Sequence, residues 1–161
     1  MIGANSREHS EWVAKLYSRL NAPILVSSWE SAELIKHTAN AFLAMKLTFV
    51  NEIATLCEIS GADIKDVTDG IGYDPRIGSD YMSAGPGWGG SCFPKDSASL
   101  AQVARSFGFD FTLLEHTIDL NQKHLDRTAQ KVRHLVPTTS PHKKVAAWGL
   151  TFKAGTDDLR Y

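Results

Sequence analysis

The sequence lacks the features on which several classes of protein depend. Its 161 residues contain two cysteines and no CxxC pair, so a disulfide framework and a cysteine-based zinc site are both disfavoured. The six histidines form no HExxH motif; we therefore predict no metal site and expect the histidines on solvated helix faces. No apolar run approaches the roughly 18 residues that span a bilayer.

The charge and composition of the sequence exclude further classes of protein. The net charge of -1 gives no long-range attraction to nucleic acid or anionic lipid. Hydrophobic residues make up 43% of the chain, which is enough to bury a core and excludes general disorder. The N-terminus contains no signal-peptide core. We expect a soluble, cytoplasmic protein that binds neither nucleic acid nor membrane.

The strongest pattern present is a long helix over residues 31–59. This stretch contains no glycine or proline, and its apolar residues recur at helical spacing. Ser31 is a plausible N-cap and Gly61 a plausible C-terminal stop. A helix of this length exceeds the needs of a small domain's own core, so we expect it to pack against a partner subunit. Further helices are predicted over residues 62–71, 94–107 and 111–135, with a long irregular segment over residues 72–91.

The two ends differ from this helical middle. A small helix near residues 6–20 and a short apolar strand at 22–27 precede the long helix. A Pro/Ser/Thr/Lys linker at 137–144 leads to a second apolar strand at 144–150, which we expect to be buried. One strand cannot form a sheet alone, so each end is interpreted as a piece of an α/β domain. The predicted division is 1–30, 31–136 and 137–161, and the predicted class is mainly α.

The most informative stretch is GPGWGGSCFPKD, residues 85–96. Gly85, Gly87 and Gly90 formally satisfy GxGxxG, but no strand precedes them and no βαβ unit follows, so we reject a dinucleotide-binding loop here. A glycine-rich loop nevertheless lets backbone N–H groups approach an anionic ligand closely.

Cys92 is the candidate nucleophile. It follows this loop and precedes a helix opened by Pro94, where the positive end of the helix dipole and nearby Lys95 favour a thiolate. Asp96 lies one helical turn later and is placed to hold or activate a water. The alternative from spacing alone is a buried cysteine with a first-turn aspartate. Cys57, by contrast, lies within the long helix among apolar residues and is predicted to be core.

Three other polar residues stand out. Lys36 and Asn40 lie at i and i+4 on the long helix and so point the same way, able to present an ammonium and an amide to a developing oxyanion. The alternative is a solvated face. Arg76, in DPRIG, offers five donors suited to phosphate or sugar hydroxyls, or is a surface charge.

Together, four segments resemble the UDP-glucose 6-dehydrogenase family within the nucleotide-sugar dehydrogenases. They are SAELIKHTANAFLAMKLTFVNEIA, DPRIG, GPGWGGSCFPKD and WGLTFKAGTDDLR, in family order. The resemblance implies a helical central dimerisation domain between remnants of two Rossmann-like domains. It also implies a homodimer through the helix at 31–59, with NAD as cofactor and a nucleotide sugar as substrate.

The resemblance further implies a two-step oxidation of the sugar C6 alcohol to a carboxylate. Cys92 would capture the aldehyde-level intermediate as a thiohemiacetal, and the thioester formed from it would be hydrolysed. Lys36 and Asn40 match residues that stabilise charge and bind water at C6, and Asp96 matches the motif aspartate.

The remaining site residues also follow from the resemblance. Arg76 matches an arginine that reaches substrate across the dimer, whereas Lys95 and Arg160 are assigned to the cofactor. Ser83 stands where some members have lysine. The other expected substrate contacts are Tyr81, Gly87, Gly89, Phe152 and Lys153.

The resemblance also bears on whether this chain is active by itself, and it leaves open which substrate the protein uses. The family's NAD fingerprint does not occur in this sequence, so we expect the chain alone to be an inactive fragment. GDP-mannose or a UDP-N-acetylhexosamine is an alternative substrate to UDP-glucose. A non-catalytic helical dimerisation module is the alternative from another class of protein.

Overall fold

A computed structural model describes residues 1–136 and 144–160. Its regular structure is almost entirely helical, which confirms the predicted class. The chain divides into two compact units, Met1–Asn40 and Ala41–Tyr161. The elements are β1 (Ile2–Gly3), α1 (Arg7–Leu16), β2 (Val26–Ser27), α2 (Trp29–Ser60), α3 (Ile64–Gly72), α4 (Phe93–Ser106) and α5 (Thr112–Leu135).

The first unit contains a small β–α–β arrangement. Strands β1 and β2 pair in parallel, with Ile2 opposite Val26. The Ser6 hydroxyl caps α1 by accepting a hydrogen bond from the backbone N–H of His9 at 3.2 Å. Of the strand predicted over residues 22–27, only the last two residues pair, because β1 is itself only two residues long.

The long helix α2 is formed nearly as predicted, but its cap is not. It begins at Trp29, and the Ser28 hydroxyl accepts a hydrogen bond from the Ser31 N–H at 3.3 Å. Ser28 therefore occupies the N-cap position, and Ser31 lies in the first turn. At the other end Gly61 adopts a φ of +79° and its N–H bonds to the Cys57 carbonyl, confirming it as the stop.

The core of the second unit lies between three helices. These are α2, near Ala41 where the second unit begins, α4 and α5. Small alanines allow the backbones to approach closely where leucines fill the remaining space. Cys57, buried elsewhere in α2, is the core residue that the sequence predicts. The buried cluster consists of Ala41, Leu100, Ala101 and Leu114, with Phe111 and Ile118 packed against it.

The segment between α3 and α4 is irregular, as predicted. Residues 144–150 differ from the prediction. They form no strand, and Trp148 is fully exposed rather than buried. No neighbouring strand in the described part of the chain pairs with this segment, and an unpaired strand leaves its backbone groups to solvent. The predicted linker lies mostly outside the described residues, at 137–143.

Two further features concern residues 1–136 and 144–160 as a set. None of their helices combines the length and apolar character needed to cross a bilayer. None of their His, Cys, Asp and Glu side chains gather in threes or more as a metal ion requires.

Candidate active site

Cys92 lies at the junction between the irregular segment and α4. It is the N-cap residue of this helix, and its carbonyl accepts a hydrogen bond from the Asp96 N–H at 2.8 Å. The thiol is exposed, and its Sγ lies 3.8 Å from the Ser91 hydroxyl. Cys57, by contrast, is buried. The two thiols thus differ in their access to solvent. Cys92 is accessible, as a nucleophile must be, and Cys57 is shielded, as expected of a core residue.

A cavity of about 350 Å³ opens beside Cys92. Most of the substrate-binding residues predicted from the sequence line it together with the cysteine. We call it the Cys92 pocket. Its lining consists of Leu47, Tyr81, Gly87, Trp88, Gly89, Gly90, Ser91, Cys92, Phe93, Phe152 and Lys153.

Tyr81 has an unusual backbone. With a φ of +58° it is the one non-glycine residue with positive φ among residues 1–136 and 144–160. A bulky side chain in this region is uncommon and strained, and such strain clusters at functional sites. Its ring, half-exposed, lies 6.4 Å from the ring of Phe93, the first residue of α4. The strained backbone therefore places an aromatic side chain at the wall of the Cys92 pocket.

The segment with Phe152 and Lys153 is closed by hydrogen bonds from its own residues. The Phe152 N–H bonds to the Asp158 carbonyl at 3.4 Å. The Arg160 guanidinium donates to both oxygens of the Asp158 carboxylate, at 2.8 and 2.9 Å. This pairing lowers the pKa of Asp158 to about 2, with a smaller effect from the Ser91 hydroxyl. Arg160 thus holds this turn in shape, and its predicted contact with a cofactor stays a prediction.

Asp96 and Lys95 lie in the first turn of α4. Asp96 is buried, and its Oδ1 lies 3.5 Å from the ammonium of Lys95, whose side chain is largely exposed. A carboxylate in the first turn of a helix is stabilised by the dipole. The structure therefore keeps a charged pair one turn beyond Cys92, within reach of the same helix end.

Lys36 and Asn40 lie one turn apart on α2, Lys36 exposed and Asn40 half-buried. Both belong to the first compact unit, whereas Cys92 and Asp96 belong to the second. The shared spacing on one helix face agrees with the sequence, and their role at a reacting carbon stays a prediction.

Two predicted residues lie apart from the Cys92 pocket. The Arg76 side chain pairs locally with Asp74, its Nε 3.0 Å from Oδ1, and this contact lowers the pKa of the Asp74 carboxyl. Ser83 lines a separate cavity of about 350 Å³ beside α3, together with Thr68 and Met82. Their proposed contacts with substrate stay predictions.

Sequence reasoning missed a set of buried polar residues beneath the pocket. Thr48, Asn51, Asn121 and His124 are all buried, and the Trp88 indole N–H donates to the Thr48 hydroxyl at 2.8 Å. His124 thus contradicts the expectation that the histidines lie on solvated faces, because its side chain is buried and its Nε2 bonds to a backbone carbonyl. One signal was available: Asn121 occurs seven positions after Leu114, on the apolar stripe of α5.

Comparison with known proteins gives a specific match. Residues 30–123 match the family model described as the UDP-glucose/GDP-mannose dehydrogenase family, central domain. The chain is 41% identical over 160 residues to UDP-glucose 6-dehydrogenase TuaD of Bacillus subtilis (strain 168), covering 99% of this chain and 34% of that protein. It is 46% identical over 139 residues to the UDP-glucose 6-dehydrogenase of Rhizobium meliloti (strain 1021), covering 86% and 32%.

Solved structures agree with the sequence matches. A UDP-glucose dehydrogenase from Pyrobaculum islandicum superposes with a TM-score of 0.78 at 33% identity, over 82% of this chain and 31% of that one. A UDP-D-ManNAc dehydrogenase from Pyrococcus horikoshii superposes with a TM-score of 0.79 at 27% identity, over 98% and 38%. The chain therefore spans about a third of the length of the proteins it matches.

Proposed function

Because the chain belongs to the UDP-glucose/GDP-mannose dehydrogenase family, we propose that it forms the central part of an enzyme that oxidises the C6 alcohol of a nucleotide sugar to a carboxylate. The observation that carries this proposal is the exposed thiol of Cys92 at a helix N-terminus, opening onto the Cys92 pocket. Both the thiol and most of the pocket lie within the matched residues 30–123.

The chemistry assigned to Cys92 is covalent capture of the aldehyde. The Sγ adds to the aldehyde carbon, the carbonyl oxygen takes up a proton, and a thiohemiacetal forms. Loss of a hydride from that carbon, together with the proton of its hydroxyl, gives a thioester, and attack by water releases the carboxylate and the free thiol. NAD, when bound, supplies the acceptor for the hydride that leaves at each of the two oxidation steps.

Three further residues are proposed to act at C6 of the sugar, the carbon that Cys92 attacks. Lys36 and Asn40 would stabilise negative charge on the C6 oxygen, since an ammonium and an amide on one helix face are both donors. Asp96 would hold the water that attacks the thioester; its position one turn after Cys92 supports this role. A buried carboxylate beside a cation keeps its orientation better than an exposed one.

The sugar nucleotide is assigned to the wall of the Cys92 pocket. Tyr81, Gly87, Gly89, Phe152 and Lys153 offer aromatic surface, close backbone approach and one ammonium. UDP-glucose is the proposed substrate. A UDP-N-acetylhexosamine is the second candidate, because the Pyrococcus horikoshii structure carries a related fold over 98% of this chain. GDP-mannose, which the family description also names, is the third.

Arg76 and Ser83 are proposed to contact the substrate from outside that pocket, Arg76 in the partner subunit's site. For Arg76 this requires that its guanidinium exchange Asp74 for an anionic ligand. The Arg76 side chain is largely exposed, which permits the exchange.

NAD binding needs more than the described residues provide. Their only sheet is one pair of two-residue strands, and no glycine fingerprint follows β1. Lys95 and Arg160 are the groups that this chain would contribute toward the cofactor's charge. We therefore propose that the 161 residues do not turn over by themselves, and that mixing them with UDP-glucose and NAD yields no NADH absorbance.

We also propose a homodimer through α2. Three apolar side chains on this helix, Phe42, Phe49 and Leu56, recur every seven residues and are each more than half exposed. A stripe with this spacing matches the seam of paired helices. A second copy of the chain offers the same stripe, as a two-fold interface requires.

The arrangement in the whole protein is proposed to be a helical central domain, residues 31–136, between parts of two Rossmann-like domains at 1–30 and 137–161. The β–α–β arrangement of the first unit supports the first of these. A cytoplasmic location is proposed because both thiols are free, and free thiols persist in reducing compartments.

The test is alkylation of the two cysteines by iodoacetamide, followed by mass spectrometry of the peptides. We expect Cys92 to react much faster than Cys57, and UDP-glucose to slow Cys92 more than GDP-mannose or UDP-N-acetylglucosamine does. Equal rates for the two thiols, or no effect of any nucleotide sugar, would contradict the assignment of Cys92 and favour a non-catalytic helical module.

A further inference from the structure

The loop that leads to Cys92 is held by side chains rather than by backbone pairing. The Gly85 N–H donates to Asn51 Oδ1 at 2.9 Å, and the Gly85 carbonyl accepts from His124 Nε2 at 2.8 Å. The Trp88 N–H donates to Asn121 Oδ1 at 2.9 Å, and Asn121 Nδ2 donates to the Trp88 carbonyl at 2.9 Å. All four backbone polar groups of these two residues are therefore bonded to side chains.

The three side chains come from two helices and are buried. Asn51 lies on α2, whereas Asn121 and His124 lie on α5 at i and i+3 and so share one face. All three are less than a tenth exposed. We call Asn51, Asn121 and His124 the loop clamp. Buried polar residues on apolar helix faces are costly unless they are bonded, so the clamp and the loop fix each other.

Among the three residues of the loop clamp, Asn121 makes the contact that is hardest to reproduce with a different side chain. Its amide carries an acceptor oxygen and a donor nitrogen, and both atoms bond to the same residue, Trp88. The loop also lies in close contact with it: a Cβ on Gly87 would lie 3.0 Å from Asn121 Oδ1 and 2.9 Å from Leu125 Cδ2. Aspartate would keep the acceptor and set a carboxylate oxygen against the Trp88 carbonyl.

The loop clamp is connected to Cys92 through Trp88. The Trp88 indole N–H bonds to Thr48, and the ring meets the Phe93 ring edge-on with centroids 6.3 Å apart. Phe93 follows Cys92 and is the first residue of α4. A shift of the Trp88 backbone therefore moves a ring that packs against the helix end bearing the thiol.

We propose that Asn121, with Asn51 and His124, is a positioning residue that sets the geometry of the Cys92 pocket. It touches neither substrate nor cofactor and acts through the backbone of Trp88. This proposal rests on the proposed function, since that function makes the position of Cys92 matter for the chemistry.

The experiment compares the wild-type chain with Asn121→Asp and with a control, Thr117→Val. Thr117 is buried one turn earlier on the same face of α5, but its hydroxyl donates only to the Leu113 carbonyl of its own helix. Amide hydrogen exchange of Gly85 and Trp88 is measured by NMR. The ratio of Cys92 to Cys57 alkylation is measured on the same samples, with Cys57 reporting opening of the core.

For Asn121→Asp we expect exchange at Trp88 to rise by about tenfold relative to Thr117→Val. We expect the Cys92 to Cys57 ratio to change by about threefold or more, since thiol reactivity follows its surroundings. Unchanged exchange at Trp88, or increased exchange with an unchanged ratio, would overturn the proposal. In the wild type, a Cys92 no faster than Cys57 would instead contradict the proposed function, while exchange at Trp88 still tests the clamp.

A second pair of variants covers the case in which the buried aspartate prevents folding. His124→Leu removes the donor to the Gly85 carbonyl, and His124→Gln keeps a donor of similar reach. We expect His124→Leu to raise exchange at Gly85 and to alter the alkylation ratio, and His124→Gln to restore both. Equal behaviour of the two variants would overturn the proposal.

Discussion

The ring of Phe152 occupies the space where any side chain at position 90 would begin. A Cβ on Gly90 would lie 2.7 Å from Cδ2 and 2.9 Å from Cε2 of Phe152, and Gly90 has a φ of +82°. The contact joins the segment with Phe152 and Lys153 to the loop before Cys92. Both steric and backbone reasons therefore require glycine at this position.

Gly90→Ala is expected to displace Phe152 and to destabilise the fold by about 1–2 kcal/mol, the cost of a left-handed conformation for an L-residue. Urea unfolding measures the loss, and the aromatic NMR signals of Phe152 report its displacement. Gly85→Ala is the control, because a Cβ there meets open space and its φ is not positive. An equal loss in both variants would contradict this account of Gly90.

Glu58 connects α2 to α5 and gives a prediction about pH. Its carboxylate pairs with the ammonium of Lys131 and, at 3.0 Å, with the guanidinium of Arg127. These contacts, Lys131 foremost, lower the pKa of Glu58. Its contribution to the free energy of unfolding is then fully present above the pKa of an unfolded glutamate, about 4.3. The contribution is lost as pH falls through the folded-state pKa.

Glu58→Gln is accordingly expected to lower the stability at pH 7 by about 0.5 kcal/mol, a small value because solvent screens this exposed network. The difference from wild type should begin to shrink as the pH falls below the pKa of an unfolded glutamate, and it should disappear below the lower pKa of the folded state. Thermal unfolding from neutral to acidic pH measures both effects. Glu52→Gln, on an exposed position of the same helix, is the control, and a loss that persists at low pH would refute the assignment.

Phe49 lies at the middle of the apolar stripe proposed as the dimer seam. Phe49→Glu is expected to weaken self-association by about tenfold or more, because it introduces a desolvated charge at the centre of an apolar interface. Sedimentation equilibrium measures the dissociation constant. Phe107→Glu is the matched control, since Phe107 is an exposed phenylalanine outside the stripe. A dimer that tolerates Phe49→Glu would show that the interface lies elsewhere.

Thr48→Val tests the buried bond from the Trp88 indole. The substitution keeps the shape of the side chain but leaves a buried N–H without its acceptor, which costs about 1–3 kcal/mol. Thr48→Ser retains the acceptor and should recover most of the loss. Urea unfolding of the three proteins decides the matter, and similar stabilities for Thr48→Val and Thr48→Ser would refute the contribution of this bond.

Local patterns were sufficient to predict most of the helices. The stretch without glycine or proline between Ser31 and Ile59 predicted α2, and Gly61 predicted its end, because periodicity and left-handed caps are properties of neighbouring residues. The cap at Ser28 was missed because Trp29 and Glu30 in the first turn do not continue the apolar pattern. The position of Cys92 at a helix N-terminus was also predicted, from Pro94.

Long-range polar pairing could not be predicted in this way. The partners of Asn51 and Asn121 lie more than thirty positions away in the sequence, at Gly85 and Trp88. Periodicity alone treats a polar residue as facing solvent, and so it misplaced His124. The prediction of a strand at 144–150 was wrong for a similar reason. A strand forms only where another strand pairs with it, and the sequence of the segment does not show whether such a partner is present.

The loop clamp has a consequence for how this protein can vary. Because the loop clamp forms hydrogen bonds with main-chain atoms of Gly85 and Trp88, the backbone path of the loop between them depends little on the side chain at Pro86. Exposed positions of this loop are thus open to substitution without remodelling the scaffold below. A designer who wishes to alter the entrance to the pocket can begin at such positions, and natural relatives can diverge there while keeping the same backbone path.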